Sequence, residues 1–155
     1  MKYSENYMHS KDIDWFFSVN NRIFIHVASA GGLLPDSIND REKLRNIQKK
    51  VFELPYIHNE DEIIFNETFL LERFNNENEI NNYLPSFVEM AMKGFISMDR
   101  TNLMDLEDNT YHIVCMPMNL KPINCLQEII KIENEENIFH SPQSNIKLLD
   151  LFIRK

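Results

Sequence analysis

The sequence predicts an α+β domain, an antiparallel sheet of about four strands that opens with a β-hairpin and carries helices packed mainly on one face. Three observations lead there. Two β-rich runs, residues 12–19 and 23–30, are separated only by Asn20-Asn21-Arg22, and asparagine tolerates the left-handed conformations of tight turns. Apolar residues at helical spacing begin only after that pair. The order of hairpin, helices, two strands and a helix lacks the βαβ alternation of a doubly wound sheet, and three glycines in 155 residues are too few for one.

The length fits one domain, 1–155, able to bury about 70% of its unfolded surface. Residues 1–11 read as a loosely ordered lead-in. In the first strand Ile13, Trp15, Phe17 and Val19 alternate with Asp12, Asp14, Phe16 and Ser18, a period of two. Gly31-Gly32 ends the second strand and Pro35 closes the loop after it. Leu44, Ile47, Val51 and Leu54 then recur at helical spacing, with Ser37 or Asn39 as the cap and Pro55 as the stop. Residues 58–62 are a charged loop. A helix begins near Asn66 with Phe69, Leu70 and Phe74 on its apolar side, and residues 75–82 are polar enough to require exposure.

The clearest helix covers 85–93. Pro85 suits its first position, Gly94 the residue past its end, and Leu84, Phe87, Val88, Ala91 and Met92 form its apolar stripe. Strands over 95–99 and 110–116 follow, joined by a long acidic connection. Asn124 is placed to cap a short helix carrying Leu126, Ile129 and Ile130, with Gln127 as capping-box partner. The tail, 145–153, fits a helix or a strand, with helix favoured.

Sixteen Lys and Arg against twenty-four Asp and Glu give a net charge of −8. Such a surface repels phosphate backbones, so no nucleic-acid partner is expected, and it steers the chain toward a basic protein. Cys115 and Cys125 are too few for a disulfide framework and read as reduced thiols. The polar first ten residues are no signal peptide. No run of eighteen apolar residues occurs, so no membrane span is expected and the cytoplasm is the expected location. The abundance of Asn, Ile and Lys suits AT-rich coding, and no function is assigned to it.

No motif fixes a chemistry. Ala28-Ser29-Ala30-Gly31-Gly32 follows a strand but lacks the phosphate-loop spacing and its lysine, so it reads as loop geometry. Ser29 and His26, three apart on one strand, point to opposite faces and make no triad. His26 and His112 converge only if their strands bring them together; with Asp99 or Asp14 they would suit a metal, yet no ligand spacing supports one. No metal and no cofactor are therefore expected, and His26, Asp99, Arg100 and His112 are carried as a candidate pocket. Asp105, Glu107 and Asp108 fail calcium-loop spacing and are carried as a candidate acidic binding surface. Trp15, Phe16, Phe17 and Phe24 put aromatics on both faces of the hairpin, which reads first as core under a helix cover; Trp15 and Phe16 are carried as a candidate aromatic anchor patch, the lesser reading.

The runs Asp12-Ile13-Asp14-Trp15-Phe16-Phe17 and Ile25-His26-Val27-Ala28-Ser29-Ala30-Gly31-Gly32 with Pro35 resemble the opening of a group of small uncharacterised bacterial proteins. In these a DWF strand leads to an HxASxGG…P element. The segments Lys93-Gly94-Phe95-Ile96-Ser97-Met98-Asp99-Arg100-Thr101 and Asp108-Asn109-Thr110-Tyr111-His112-Ile113-Val114 are similar as well. The resemblance covers about a third of the chain and stops before Pro122. Some of that group lie near secreted-toxin systems and are guessed to be immunity proteins, and the resemblance brings no catalytic residue with it. The expectation is a non-enzymatic protein-binding module, immunity-like toward a basic toxin domain. The acidic stretches 59–62, 77–79, 105–108 and 133–136 would supply its surface. An enzyme built on His26, Asp99, Arg100 and His112, and a structural or regulatory oligomer subunit, are the alternatives.

Overall fold

A computed structural model describes residues 1–123, 126–134 and 136–152. Its centre is a mixed seven-stranded sheet: β1 (Asp14–Val19), β2 (Ile23–Ala28), β3 (Ile63–Phe65), β4 (Ile96–Arg100), β5 (Thr110–Pro117), β6 (Ile130–Ile132) and β7 (Ile146–Lys147). The spatial order is β3-β5-β4-β2-β1-β6, with β7 beside β5. This corrects the expected antiparallel sheet of about four strands. The hairpin β1–β2 and the β4–β5 pair are antiparallel, but β2–β4 and β1–β6 are parallel. Parallel neighbours need a long crossover, and four helices, within residues 41–92, lie between β2 and β4 in the chain.

The hairpin turns at Asn20 and Asn21, both with positive φ of 54° and 58°. Each β1 and β2 side chain then falls on a fixed face. Trp15, Phe17, Val19, Ile25 and Val27 join Ile96, Met98 and Ile113 on one face, beneath Met8, Leu34, Ile38, Phe139 and Leu148. Trp15 and Phe16 are 0% and 2% exposed, so the candidate aromatic patch is core. Trp15 and Phe17 pack against Phe152 on one face, and Phe16 against Phe95 on the other.

That other face is covered by helices. On α2 (Arg41–Glu53), Ile47 and Val51 pack on Phe16 and Phe24. On α5 (Pro85–Met92), Phe87 and Ala91 pack on Ala28, Val114 and Cys115. The short helices α3 (Glu67–Arg73) and α4 (Glu77–Tyr83) complete the layer. Lys93, 3% exposed, ties it together: its ammonium donates to the Val51 and Phe52 carbonyls at the end of α2. A cation there satisfies orphan carbonyls and the negative end of the helix dipole.

The lead-in is not loose. Helix α1 (Glu5–His9) buries Met8, and Gly31 N–H bonds the Lys11 carbonyl. Asn39, one expected cap of α2, instead clasps the Tyr3 backbone through both amide atoms, and Asp40 caps the helix. Leu126 and Ile129 lead by a turn into β6 rather than forming the expected helix; Asn124 lies outside the described residues, as do Cys125, Glu135 and residues 153–155. The tail is β7 followed by a 3-10 turn, Leu148–Phe152. No helix among the described residues is long and apolar enough to cross a membrane.

Candidate functional site at the carboxyl ends of β2 and β4

Register places Asp14, Ala28, Asp99 and His112 in one row across β1, β2, β4 and β5. The row lies on the helical face, where the parallel strands β2 and β4 end; open sheets commonly bind ligands beyond such ends. Tyr83, the last residue of α4, reaches this row. Its hydroxyl donates to Asp99 Oδ2 at 2.6 Å and lies 3.3 Å from His112 Nε2. Thr101 Oγ1 stands 2.9 Å from His112 Nδ1, and the Phe69 ring stacks on the imidazole at 3.5 Å.

These bonds resolve in one direction. Tyr83 gives its proton to Asp99, so its oxygen accepts from His112 Nε2–H, and His112 Nδ1 accepts from Thr101. The imidazole is therefore neutral, in agreement with burial lowering its pKa to about 3. Burial raises Asp99 to about 6, against the bonds from Tyr83 and the Arg100 N–H, which pull it down. Burial and the Asp99 charge drive Tyr83 upward. A carboxyl near 6 that receives a relay of hydrogen bonds has the protonation range of a general base.

Arg100 points to the opposite face and is 1% exposed. Its Nε and Nη2 donate to the Ala30 carbonyl at 3.2 and 2.9 Å, and its Nη1 to the Asn102 and Asp105 carbonyls at 2.7 and 2.9 Å. One guanidinium thus clamps the turn after β2 to the loop after β4. The turn is strained: Ala30 has φ 44°, a conformation that persists only where its surroundings fix it. Asp12 holds the Ala30 N–H while Arg100 holds its carbonyl. A Cβ at Gly32 would stand 2.7 Å from Arg100 Cδ and 2.8 Å from Tyr111 Oη, so glycine there is steric necessity.

His26 forms a third constellation. Its Nε2 lies 2.8 Å from Asp14 Oδ1 and its Nδ1 3.1 Å from Ser97 Oγ, which donates to the Phe87 carbonyl. The order Asp, His, Ser is that of a nucleophile triad, but Ser97 is 0% exposed and its proton is committed to α5. The line from Asp14 through His26 and Ser97 to the Phe87 carbonyl braces β1, β2, β4 and α5. Ser29 instead accepts from Ile13 N–H.

Of the four residues of the candidate pocket, Asp99 and His112 therefore meet through Tyr83, Arg100 lies beneath the sheet, and His26 is paired elsewhere. Sequence reasoning missed Tyr83, Thr101 and Ser97, which only pairing register and the end of α4 bring in. No group of three or more metal-ligating side chains occurs among the described residues. Cys115 is buried, its thiol pushed up to about 12 by that burial.

The loop over 102–108 differs from all of these. Leu103, Met104 and Leu106 are 51%, 95% and 45% exposed, interleaved with exposed Asp105 and Glu107 and followed by half-buried Asp108. The loop is ordered by its own bonds: Asp105 Oδ1 accepts from Glu107 N–H, and Asp108 Oδ1 from Thr110 N–H. The Thr110 bonds hold the Asp108 carboxyl below its usual range.

Comparison with protein-family models, with curated proteins and with solved structures finds no match to this chain.

Proposed function

We propose that this chain is a non-enzymatic binding module, immunity-like, that presents the loop over 102–108 to a basic protein partner. The observation that carries the reading is the contrast between that loop and the interior. His26, Arg100 and His112 are each 2% exposed or less and committed to internal partners. The loop instead offers three exposed aliphatic side chains among three carboxylates. Apolar anchors with flanking charge are what a protein interface uses for affinity and for orientation. The net charge of −8 favours encounter with a cation-rich surface.

The experiment is affinity capture of the tagged protein from its source cells, read by mass spectrometry at low and high salt. One basic protein retained at low salt and weakened at high salt is expected. Capture of no protein, or of one indifferent to salt and to reversal of Asp105, Glu107 and Asp108, refutes the reading.

A second reading rests on Asp99. Its raised pKa and hydrogen-bond relay suit proton abstraction from a small molecule, in an enzyme centred on Tyr83, Asp99 and His112. A library screen by thermal shift tests it: a ligand whose binding is lost in Asp99→Asn would favour it.

A further inference from the structure

Helix α5 is apolar on two sides. Phe87 and Ala91 are buried against the sheet, whereas Leu84, just before the helix, Val88 and Met92 form a second stripe at i, i+4, i+8 that is only half-buried. Such spacing places them on one face, and a helix apolar all round is ordinarily enclosed. This outer stripe lines a groove of about 580 Å³, with Phe65 and the 56% exposed Tyr56 along it. The charged residues lining the groove are Glu60 and Glu89, with no lysine or arginine among them. Asp61 and Glu62 continue the acidic rim past Glu60. Lys93 lies 3.9 Å from Glu89, but its hydrogen bonds go to the end of α2.

The other hollows differ. The cleft beside α1, β1 and α2 sets Lys11 and Arg45 against Asp12 and Asp14, and the hollow beside Asp105 and Asp108 has no apolar floor. Of these three hollows among the described residues, the α5 groove is the one that joins an aliphatic floor to carboxylates alone. An isologous dimer through it would set two rims whose lining charges are all carboxylates against each other, with no cation to pair them, and like charges across an interface are unfavourable.

We infer that the groove along α5 docks a cationic amphipathic helix of a partner protein, its aliphatic side chains on Leu84, Val88 and Met92 and its lysines or arginines on Glu60 and Glu89. A ridge at i, i+4, i+8 is the complement of a second helix. The inference rests on the reading that the partner is basic and gives it a second surface.

The test uses fluorescence anisotropy at low salt with two labelled amphipathic peptides, one built of Leu and Lys and one of Leu and Glu. The full chain is compared with Val88→Glu, with the exposed-site variant Glu60→Lys, and with Asp105→Lys/Glu107→Lys/Asp108→Lys. The Leu/Lys peptide is expected to bind and the Leu/Glu peptide not. Val88→Glu should weaken binding by more than about tenfold and Glu60→Lys by several-fold, and the loop variant by less than about threefold. Binding lost in the loop variant but kept in both groove variants overturns the groove and leaves the basic-partner reading standing. Binding of neither peptide, or of both equally, overturns the groove. A dimer in sedimentation that Val88→Glu dissolves overturns it in favour of a second copy.

Discussion

Asp99 and Arg100 are neighbours in the chain, face opposite sides of the sheet, and show two fates of a buried charge. Arg100 is almost wholly enclosed, yet three backbone carbonyls from two loops receive its donors. Asp99 receives Tyr83 and one N–H, and burial still outweighs them, lifting its pKa to about 6. A buried charge stabilises a fold only where fixed dipoles replace the water it has lost. Arg100 meets that condition and holds the loop over 102–108 in place, and Asp99 meets it only in part.

Replacing Arg100 should be the most damaging change. Arg100→Met leaves the Ala30, Asn102 and Asp105 carbonyls without their donor, at roughly 3–5 kcal/mol, measured by urea denaturation. The loop over 102–108 should then become protease-sensitive. A loss below about 1 kcal/mol would erase the contrast with Asp99. Gly32→Ala strikes the same clamp from the other side, because the added Cβ has no room beside Arg100 Cδ and Tyr111 Oη. A loss of about 2–4 kcal/mol is expected, read in the same denaturation series.

Asp99→Asn should act with the opposite sign. A carboxyl whose folded pKa lies above its ordinary 3.8 favours the protonated fold. Its stabilising contribution is full below 3.8, fades as pH rises to about 6, and stays absent above. The difference corresponds to roughly 3 kcal/mol at most, less because Asp99 keeps some solvent contact. The amide also gives up one acceptor, at about 1 kcal/mol. Asp99→Asn should therefore be more stable than the parent by about 1–2 kcal/mol at pH 8 and no more stable at pH 4. Thermal melts across that range check it, and a variant less stable at pH 8 would show that the fold needs the carboxylate. The smallest effect on stability belongs to Asp105→Lys/Glu107→Lys/Asp108→Lys, a loss of about 1 kcal/mol or less, since Asp105 and Glu107 are exposed and the bonds removed, to the Glu107 and Thr110 N–H groups, are local to the loop.

The same contrast shows how much could be read from the chain. The Asn20-Asn21 turn was legible because its chemistry is local, and so was α5, bounded by Pro85 and by Gly94 with its φ of 109°. The parallel pairs were not, because they depend on where a crossover of several helices returns the chain. Strands β3 and β6 have three residues each, too few for a period of two to register. Trp15 and Phe16 were legible first as core, because aromatics on both faces of a hairpin call for cover on both, and the anchor patch was the lesser reading that their burial excludes. Asp99 and His112 were picked out by residue type and do share a row. Arg100 and His26 were grouped with them, though residue type says nothing of where a side chain goes: Arg100 faces the other side, and His26, on the same face, is held by Asp14 and Ser97. Tyr83 gave no signal at all, since it enters from the end of a polar helix that periodicity barely marks.

The central claim is that recognition lies in the loop Arg100 holds while the polar interior serves the fold. It is tested most directly by repeating affinity capture with two variants side by side, Asp99→Asn and Asp105→Lys/Glu107→Lys/Asp108→Lys. The account predicts that Asp99→Asn retains the basic partner at the parent level and that the loop variant loses it. Partner retention by the loop variant, or its loss in a folded Asp99→Asn protein, would contradict it.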